Sequence, residues 1–319
     1  MLRLVIASRG SKLARRQAGI VADLVRSVEP EAEIEVRTIV TTGDKDARPY
    51  RAIGGKGLFV AEVESEVAEG RCDVGVHSAK DLTAQLAPGC SIVCVPPRAS
   101  VHDVVVGGTG PDGTARLSAM GSGARVGTSS MRRRALLAEF RDDLETVDLR
   151  GNLDTRLRKV RDGVIDAAVL AAAGIERLGV IDDVEPGALD PDRWVPAPGQ
   201  GALAVEALSD RADLAELFSK IDDPTAHAEV TCERAFAERL EGGCSIPLGC
   251  SARTIEDGLV VTGFLGHPDG HDSLRDRISG APRDAEGLGR ELADAILDAG
   301  GADLLEEIRS LEPADIDSP

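Results

Sequence analysis

Residues 4–40 read LVIASRGSKLARRQAGIVADLVRSVEPEAEIEVRTIV. Leu4–Ala7 is a short apolar run suited to a strand, and Arg9-Gly10-Ser11 turns it into an amphipathic helix that ends near Pro30. Ile34–Val40 is the next strand. A strand that returns through a helix to a second strand implies parallel neighbours, which need a crossover connection. The same alternation continues outward. After Gly54-Gly55-Lys56-Gly57, residues Leu58 to Glu69 read as a helix with Phe59, Val63 and Val67 on one face. Asp73–His77 and Ile92–Val95 are strand-like, the latter as part of the apolar segment Cys90–Val95, which reads as a buried strand.

A second series follows Pro96-Pro97: Val104–Val106, Arg125-Val126-Gly127, Thr146–Leu149 and Ala167–Leu170, each of the later three with a helical partner. Pro196-Ala197-Pro198 closes it, and the apolar strand Ala202–Val205 comes next. Two proline joints predict one lobe inserted into another, with the chain crossing back at about 196. Ligands of such lobes bind at the carboxyl ends of the strands. The expected division is 1–97 with 196–217, then 98–195, then 218–312, with 313–319 a frayed tail. The last unit reads as α+β: a helix over Thr225–Glu241 ending at Gly242-Gly243, strands around Leu259–Phe264 and Ser273–Ile278, and a helix over Asp284–Ala299. No repeat of fixed period is visible.

The chain has 319 residues, of which 42% are hydrophobic and 2% aromatic. That is ample for cores of Val, Leu, Ile and Ala, and poor in the stacking platforms of single-stranded nucleic-acid binders. Fifty-five acidic residues against 37 basic give a net charge of −18, which repels nucleic acid and anionic lipid. Lysines are confined to 12, 45, 56, 80, 159 and 220, an acid-rich and lysine-poor balance like that of halophile proteins. Six cysteines are too sparse for a disulfide scaffold, and none has the spacing or nearby histidine of a zinc site, so no metal is expected. The N-terminal residues lead straight into the first strand and no apolar run approaches the roughly 20 residues of a membrane span. A cytoplasmic protein is expected.

Basic and small polar residues gather at the predicted element ends. Arg9 and Ser11 follow the first strand, and Thr128-Ser129-Ser130 precedes Arg132 and Arg133. Arg150 closes another strand, Arg156 lies in the helix after it, and Arg177 follows a further strand-helix unit. Arginine near a helix N-terminus opposes the macrodipole, so local stability does not account for these placements. Binding of a polyanion does, because guanidinium matches carboxylate or phosphate bidentately. The alternative is a set of solvated arginines paired to the plentiful acids. Lys80 and Asp81 close the strand ending at His77. They are either a surface ion pair or a cleft pair in which Asp81 accepts from N–H groups of a nitrogen heterocycle and stabilises charge developing on it. Cys244, after Gly242-Gly243 and before Pro247, is a loop thiol open to alkylation. The histidines are scattered at 77, 102, 227, 267 and 271, so attachment suits Cys244 better than Cys/His hydrolysis, which spacing alone leaves open.

Taken together, ASRGSKLA (7–14), GGKGLFV (54–60), HSAKDL (77–82), VGTSSMRR (126–133), LRGNLDTRL (149–157), LAAAGIERLG (170–179), PAPGQGA (196–202) and EGGCSIPLG (241–249) resemble the hydroxymethylbilane synthase (porphobilinogen deaminase) family. The resemblance implies two α/β lobes like those of periplasmic binding proteins, with mainly parallel sheets, plus a smaller C-terminal α+β domain. It implies a dipyrromethane cofactor on Cys244 through a thioether, and a catalytic Asp81 that contacts pyrrole N–H groups during condensation of porphobilinogen. By the same resemblance Lys80, Asp81, Thr128, Ser129, Ser130, Arg132, Arg133 and Arg150 hold the cofactor, while Arg9, Ser11, Arg150, Arg156 and Arg177 hold substrate carboxylates. The family is usually monomeric. Thr83 stands where the family usually has proline, and Ala79 where methionine or leucine is frequent. A non-catalytic two-lobed anion-binding protein would share the cleft but lack the third domain and the Gly-Gly-Cys loop.

Overall fold

The computed structural model describes residues 1–41, 60–83, 85–241, 246–256 and 258–311. Cys244, the Gly54–Gly57 stretch, the expected start of the second helix and the tail from 313 lie outside them.

The first sheet has the order β2-β1-β3-β10-β4. Its strands are β1 (Arg3–Arg9), β2 (Glu33–Ile39), β3 (Val74–Ser78), β4 (Cys90–Cys94) and β10 (Leu203–Leu208). β1 runs parallel to β2 and β3, while β10 is antiparallel to both of its neighbours. Helix α1 (Lys12–Val28) covers this sheet because Ala14, Gln17, Ala18, Val21, Ala22 and Val25 fall on one stripe and are buried. Ser11 is its N-cap, accepting from the Ala14 amide at 3.1 Å. α2 (Ala61–Ala68) buries Val63 and Val67. The segment read as a buried strand, β4, is instead an edge strand, and only Cys94 along it is fully buried.

The second sheet repeats that plan in the order β7-β6-β8-β5-β9. It is built from β5 (Asp103–Gly107), β6 (Arg125–Gly127), β7 (Glu145–Val147), β8 (Ala167–Ala171) and β9 (Gly187–Ala188). Again three parallel strands meet one antiparallel strand, here β5, and a fifth strand pairs beyond it. Its helices are α3 (Gly113–Ala119), α4 (Met131–Phe140), α5 (Leu153–Arg161), α6 (Ala172–Leu178) and α7 (Ile181–Val184). The repeat is one of topology and not of residues, which is why the sequence shows no period.

Beyond α8 (Ala212–Ser219) and α9 (Pro224–Arg239) the third sheet is antiparallel, β11-β12-β13. The two expected strands are β12 (Gly258–Gly266) and β13 (Ser273–Gly280), and a third, β11 (Leu248–Ile255), joins them. α10 (Ala285–Ile296) covers the sheet, and the chain then bends at Gly300 (φ 110°) into α11 (Ala302–Ser310). Phe264 of β12 is fully buried in the cluster of Val105, Leu137 and Trp194, so the third sheet plugs into the second unit. Arg275 lies 4.7 Å over the Phe264 ring and pairs with Glu139 of α4 at 2.6 Å.

Candidate active site

The carboxyl ends of the parallel strands carry the residues singled out above. β1 ends at Arg9 with Ser11 capping α1, and β3 ends at Ser78, from which Ala79–Asp81 form a turn of 3-10 helix. β6 delivers Thr128 to Ser130, and Ser130 caps α4. β7 leads to Arg150 and to Asn152, the N-cap of α5, and β8 leads into α6 with Arg177 in its last turn. The two sets of ends approach one another: Lys12 pairs with Asp154 at 3.9 Å, and Gly174 of α6 faces Leu13.

Arg132 and Arg133 are buried and do not lie on a solvated helix face, and the cause is Asp103 at the start of β5. Arg132 Nη1 donates to Asp103 Oδ2 at 2.7 Å and to the Val195 carbonyl at 2.9 Å. Arg133 donates to Asp103 Oδ1 through Nε and Nη2, and to the Val169 carbonyl. Burial alone would push the Asp103 carboxyl up, but attraction and hydrogen bonds from the two guanidiniums hold it well below the usual carboxylate range. Gln200, fully buried, joins the group: its Nε2 donates to Asp103 Oδ1 and its Oε1 accepts from Lys80 Nζ at 3.3 Å. The Lys80 ammonium is lowered to about 8, first by burial and then by Arg133, against the opposing pull of Asp81 and Asp103. Three cations thus share the carboxylates of Asp103 and Asp81, and the locus is positive in an acidic protein.

Arg9, Ser11, Gln17, His77, Ser78 and Asp81 border one small cavity of about 60 Å³. Gln17 Nε2 donates to Ser78 Oγ at 2.9 Å, fixing α1 against the end of β3. Arg177 donates to the Gly201 carbonyl at 2.6 Å and has no carboxylate within ion-pair distance among the described residues. Burial lowers its guanidinium to about 10. Arg150 pairs with Asp148, and Arg156 donates to the Gly151 carbonyl. The hydroxyls are tied to the backbone: Ser129 donates to the Leu149 carbonyl, and Thr128 accepts from the Ser130 amide. Thr83, in the place of the usual proline, is held by Arg234, which donates to its carbonyl at 2.9 Å. Ala79 packs against Gly199, whose φ of 74° and approach to the Ala79 and Lys80 backbone leave no room for a side chain.

Four further residues had no sequence signal strong enough to single them out: Asp103, Gln200, Arg98 and Glu233. Arg98, just past Pro96-Pro97, donates to the Gln200 carbonyl at 3.0 Å and to Glu233 at 2.8 Å. Glu233 of α9, fully buried, also accepts from the amides of Gly199 and Ala252. Both crossings between the lobes are therefore fastened to the C-terminal unit. A charged residue opening the run Asp103-Val104-Val105-Val106 was the one hint available. The histidines are less scattered than their positions suggest, since His267 and His271 stack at 4.1 Å around Asp269 on the β12–β13 turn.

A site that holds a polyanionic pyrrole needs positive groups with donors to spare. Among the described residues Arg177 has no carboxylate within ion-pair distance, and the buried Arg132 Nε has no hydrogen-bond partner although Nη1 is held by Asp103. The donor set fits the acetate and propionate groups of a dipyrromethane.

Comparison with known proteins agrees in chain order. Residues 4–216 match the family described as porphobilinogen deaminase, dipyromethane cofactor binding domain, and residues 227–298 match porphobilinogen deaminase, C-terminal domain. A porphobilinogen deaminase of Roseiflexus sp. (strain RS-1) is 46% identical over 303 residues, 95% of this chain and 98% of the relative. A probable porphobilinogen deaminase of Hyperthermus butylicus is 43% identical over 92% of this chain and 95% of the relative. Among solved structures, the VFT2 domain of Bordetella pertussis BvgS matches with a TM-score of 0.42 at 15% identity, over 69% of this chain and 85% of that one. The methionine binding protein MetQ matches with a TM-score of 0.42 at 14% identity, over 71% and 90%. With both of its family segments in place and near-complete relatives at this identity, the chain belongs to the porphobilinogen deaminase family.

Proposed function

We propose that this chain is a hydroxymethylbilane synthase, which condenses four porphobilinogen molecules, with loss of ammonia, into a linear tetrapyrrole for haem or cobalamin-type products. The observation that carries the reading beyond family membership is the positive locus of Lys80, Arg132 and Arg133 at the strand ends of both lobes. Each added pyrrole brings two carboxylates, and guanidiniums neutralise them without titrating.

The dipyrromethane, bound through Cys244, supplies the pyrrole end from which the chain grows. Lys80, Thr128, Ser129, Ser130, Arg132, Arg133 and Arg150 are assigned to holding it, and Arg9, Ser11, Arg150, Arg156 and Arg177 to incoming substrate. Asp81 accepts from pyrrole N–H and stabilises the positive charge left on the substrate when ammonia departs. Arg177 suits a substrate carboxylate because burial disfavours its charge until an anion arrives. The divisions 1–97 with 196–217, 98–195 and 218–312 follow the three sheets, and Arg98 and Glu233 bind them together. We place the protein in the cytoplasm as a monomer, as the family resemblance implies, and in a halophile on its charge. Among the described residues no helix is long and apolar enough to cross a membrane.

Intact mass tests the reading. Protein made in a host that supplies porphobilinogen should carry an adduct of two pyrrole units, and Cys244→Ser should lack it. An unmodified mass for the unaltered chain, with no turnover of porphobilinogen, would exclude this function in favour of an anion-binding protein.

A further inference from the structure

Behind Asp81 lies a buried polar pair that the roles above do not use. His77 Nε2 is 3.0 Å from Glu206 Oε2 across the β3–β10 ladder, and the two side chains are 3% and 0% exposed. Glu206 Oε1 has no partner among the described residues, and neither has Glu64 Oε1 of α2. Burial, then the nearby Glu206, pushes the Glu64 carboxyl up. A half-satisfied cluster in a lobe core is costly, and apolar packing would serve stability better. The fold nevertheless reserves space for it: a side chain at Gly75 would come within 2.7 Å of His77 Nε2. The ring also borders the cavity that holds Asp81.

With Glu206 ionised the carboxylate only accepts, so Nε2 carries the hydrogen of this contact and Nδ1 is left to receive a proton. We propose that the His77–Glu206 pair is the proton sink of the site, receiving by way of Asp81 the proton lost each time two pyrroles are joined. The inference rests on the synthase reading. In each round the substrate C–N bond breaks and its electron pair leaves with ammonia. A C–C bond then forms to the attacking α-carbon, whose C–H pair restores the ring while its proton passes through Asp81 to His77 Nδ1. The ring then gives that proton to the aminomethyl nitrogen of the next substrate, which leaves as ammonia, and is neutral again when the following C–H proton is released. His77 and Asp81 line one cavity, which at about 60 Å³ has room for water to link the carboxylate to the ring. His77 is therefore a positioning and relay residue that acts through Asp81. The charged and titratable groups around it are Glu206 on β10, Glu64 on α2, the Cys90 thiol on β4, Arg234 on α9, Arg9 at the end of β1 and Asp81 itself.

The experiment uses the full chain carrying its adduct. His77→Gln should keep the adduct mass, slow elongation about 10²-fold at neutral pH and flatten one limb of the pH–rate profile. Glu206→Gln should move that limb to lower pH. Nitrogen-15 NMR of the histidines, without substrate, should show the neutral His77 ring protonated on Nε2. An adduct-bearing, normally melting His77→Gln protein with an unchanged pH limb would overturn the proposal, as would a neutral ring protonated on Nδ1. If His77→Gln does not fold, the NMR result and Glu206→Gln decide. Failure of the unaltered chain to consume porphobilinogen would reject the synthase reading, whereas the tautomer reports on the pair by itself.

Discussion

A lysine drawn out of water beside a guanidinium holds its proton less tightly than one on the surface. Lys80 is in that position, lowered to about 8 from 10.5. Between those values the unfolded chain binds more protons than the folded one, so this group's penalty to folding is present below pH 8 and is relieved as pH rises toward 10.5. An arriving carboxylate reverses the effect and restores the ordinary ammonium. Loading of the dipyrromethane carboxylates into protein made without them, near pH 8.5, should therefore take up protons, and the calorimetric heat should vary with the ionisation enthalpy of the buffer. A buffer-independent heat would place the carboxylates away from Lys80. Asp81, one residue on, is assigned a different task, and Asp81→Ala should retain the adduct while elongation falls by at least ~10²-fold, the scale of a lost electrostatic stabiliser. Mass and turnover on one preparation check both halves, and normal turnover would refute the role.

At the scale of elements, the two arginines at the start of α4 show what a sequence conceals. Their clash with the helix dipole was legible and pointed to an anion, and the resident anion is Asp103 on β5, some thirty residues earlier. Nothing local to either segment announces that pairing, because it depends on β5 taking its place beside β8 in the sheet. The strand-helix alternation and the placement of the candidate residues at strand ends were readable, since periodicity and turn chemistry are local. β11 was missed for a related reason: its inward positions Leu248, Cys250 and Ala252 are mostly small, and burial comes from neighbours rather than from a strong apolar pattern. Replacing Asp103 with Asn keeps the shape but strands two buried guanidiniums. It should cost about 3–5 kcal/mol in urea unfolding, and a loss under ~1 kcal/mol would mean that water reaches the pair. In the unaltered chain the Asp103 contribution is complete above the ordinary carboxylate range and lost as pH falls through its much lower folded value.

For the molecule as a whole, a net charge of −18 sets self-repulsion against compactness. Screening shortens from ~8 Å at 0.15 M salt to ~3 Å at 1 M, so the thermal midpoint should climb by several degrees between 0.15 and 2 M KCl. A flat or falling midpoint would reject a halophile origin. The order of strands in the first sheet bears on synthesis as well as on the finished enzyme. β10, which separates β3 from β4, is made only after the whole second sheet has been translated. Until residue 208 emerges, β3 has an unpaired edge and β4 has no neighbour in its own sheet. The second lobe is free to fold first, while the earlier one waits with open edges that invite pairing with other chains. A nascent chain whose second sheet has emerged while β10 is still in the exit tunnel is thus the form of this protein most in need of a chaperone.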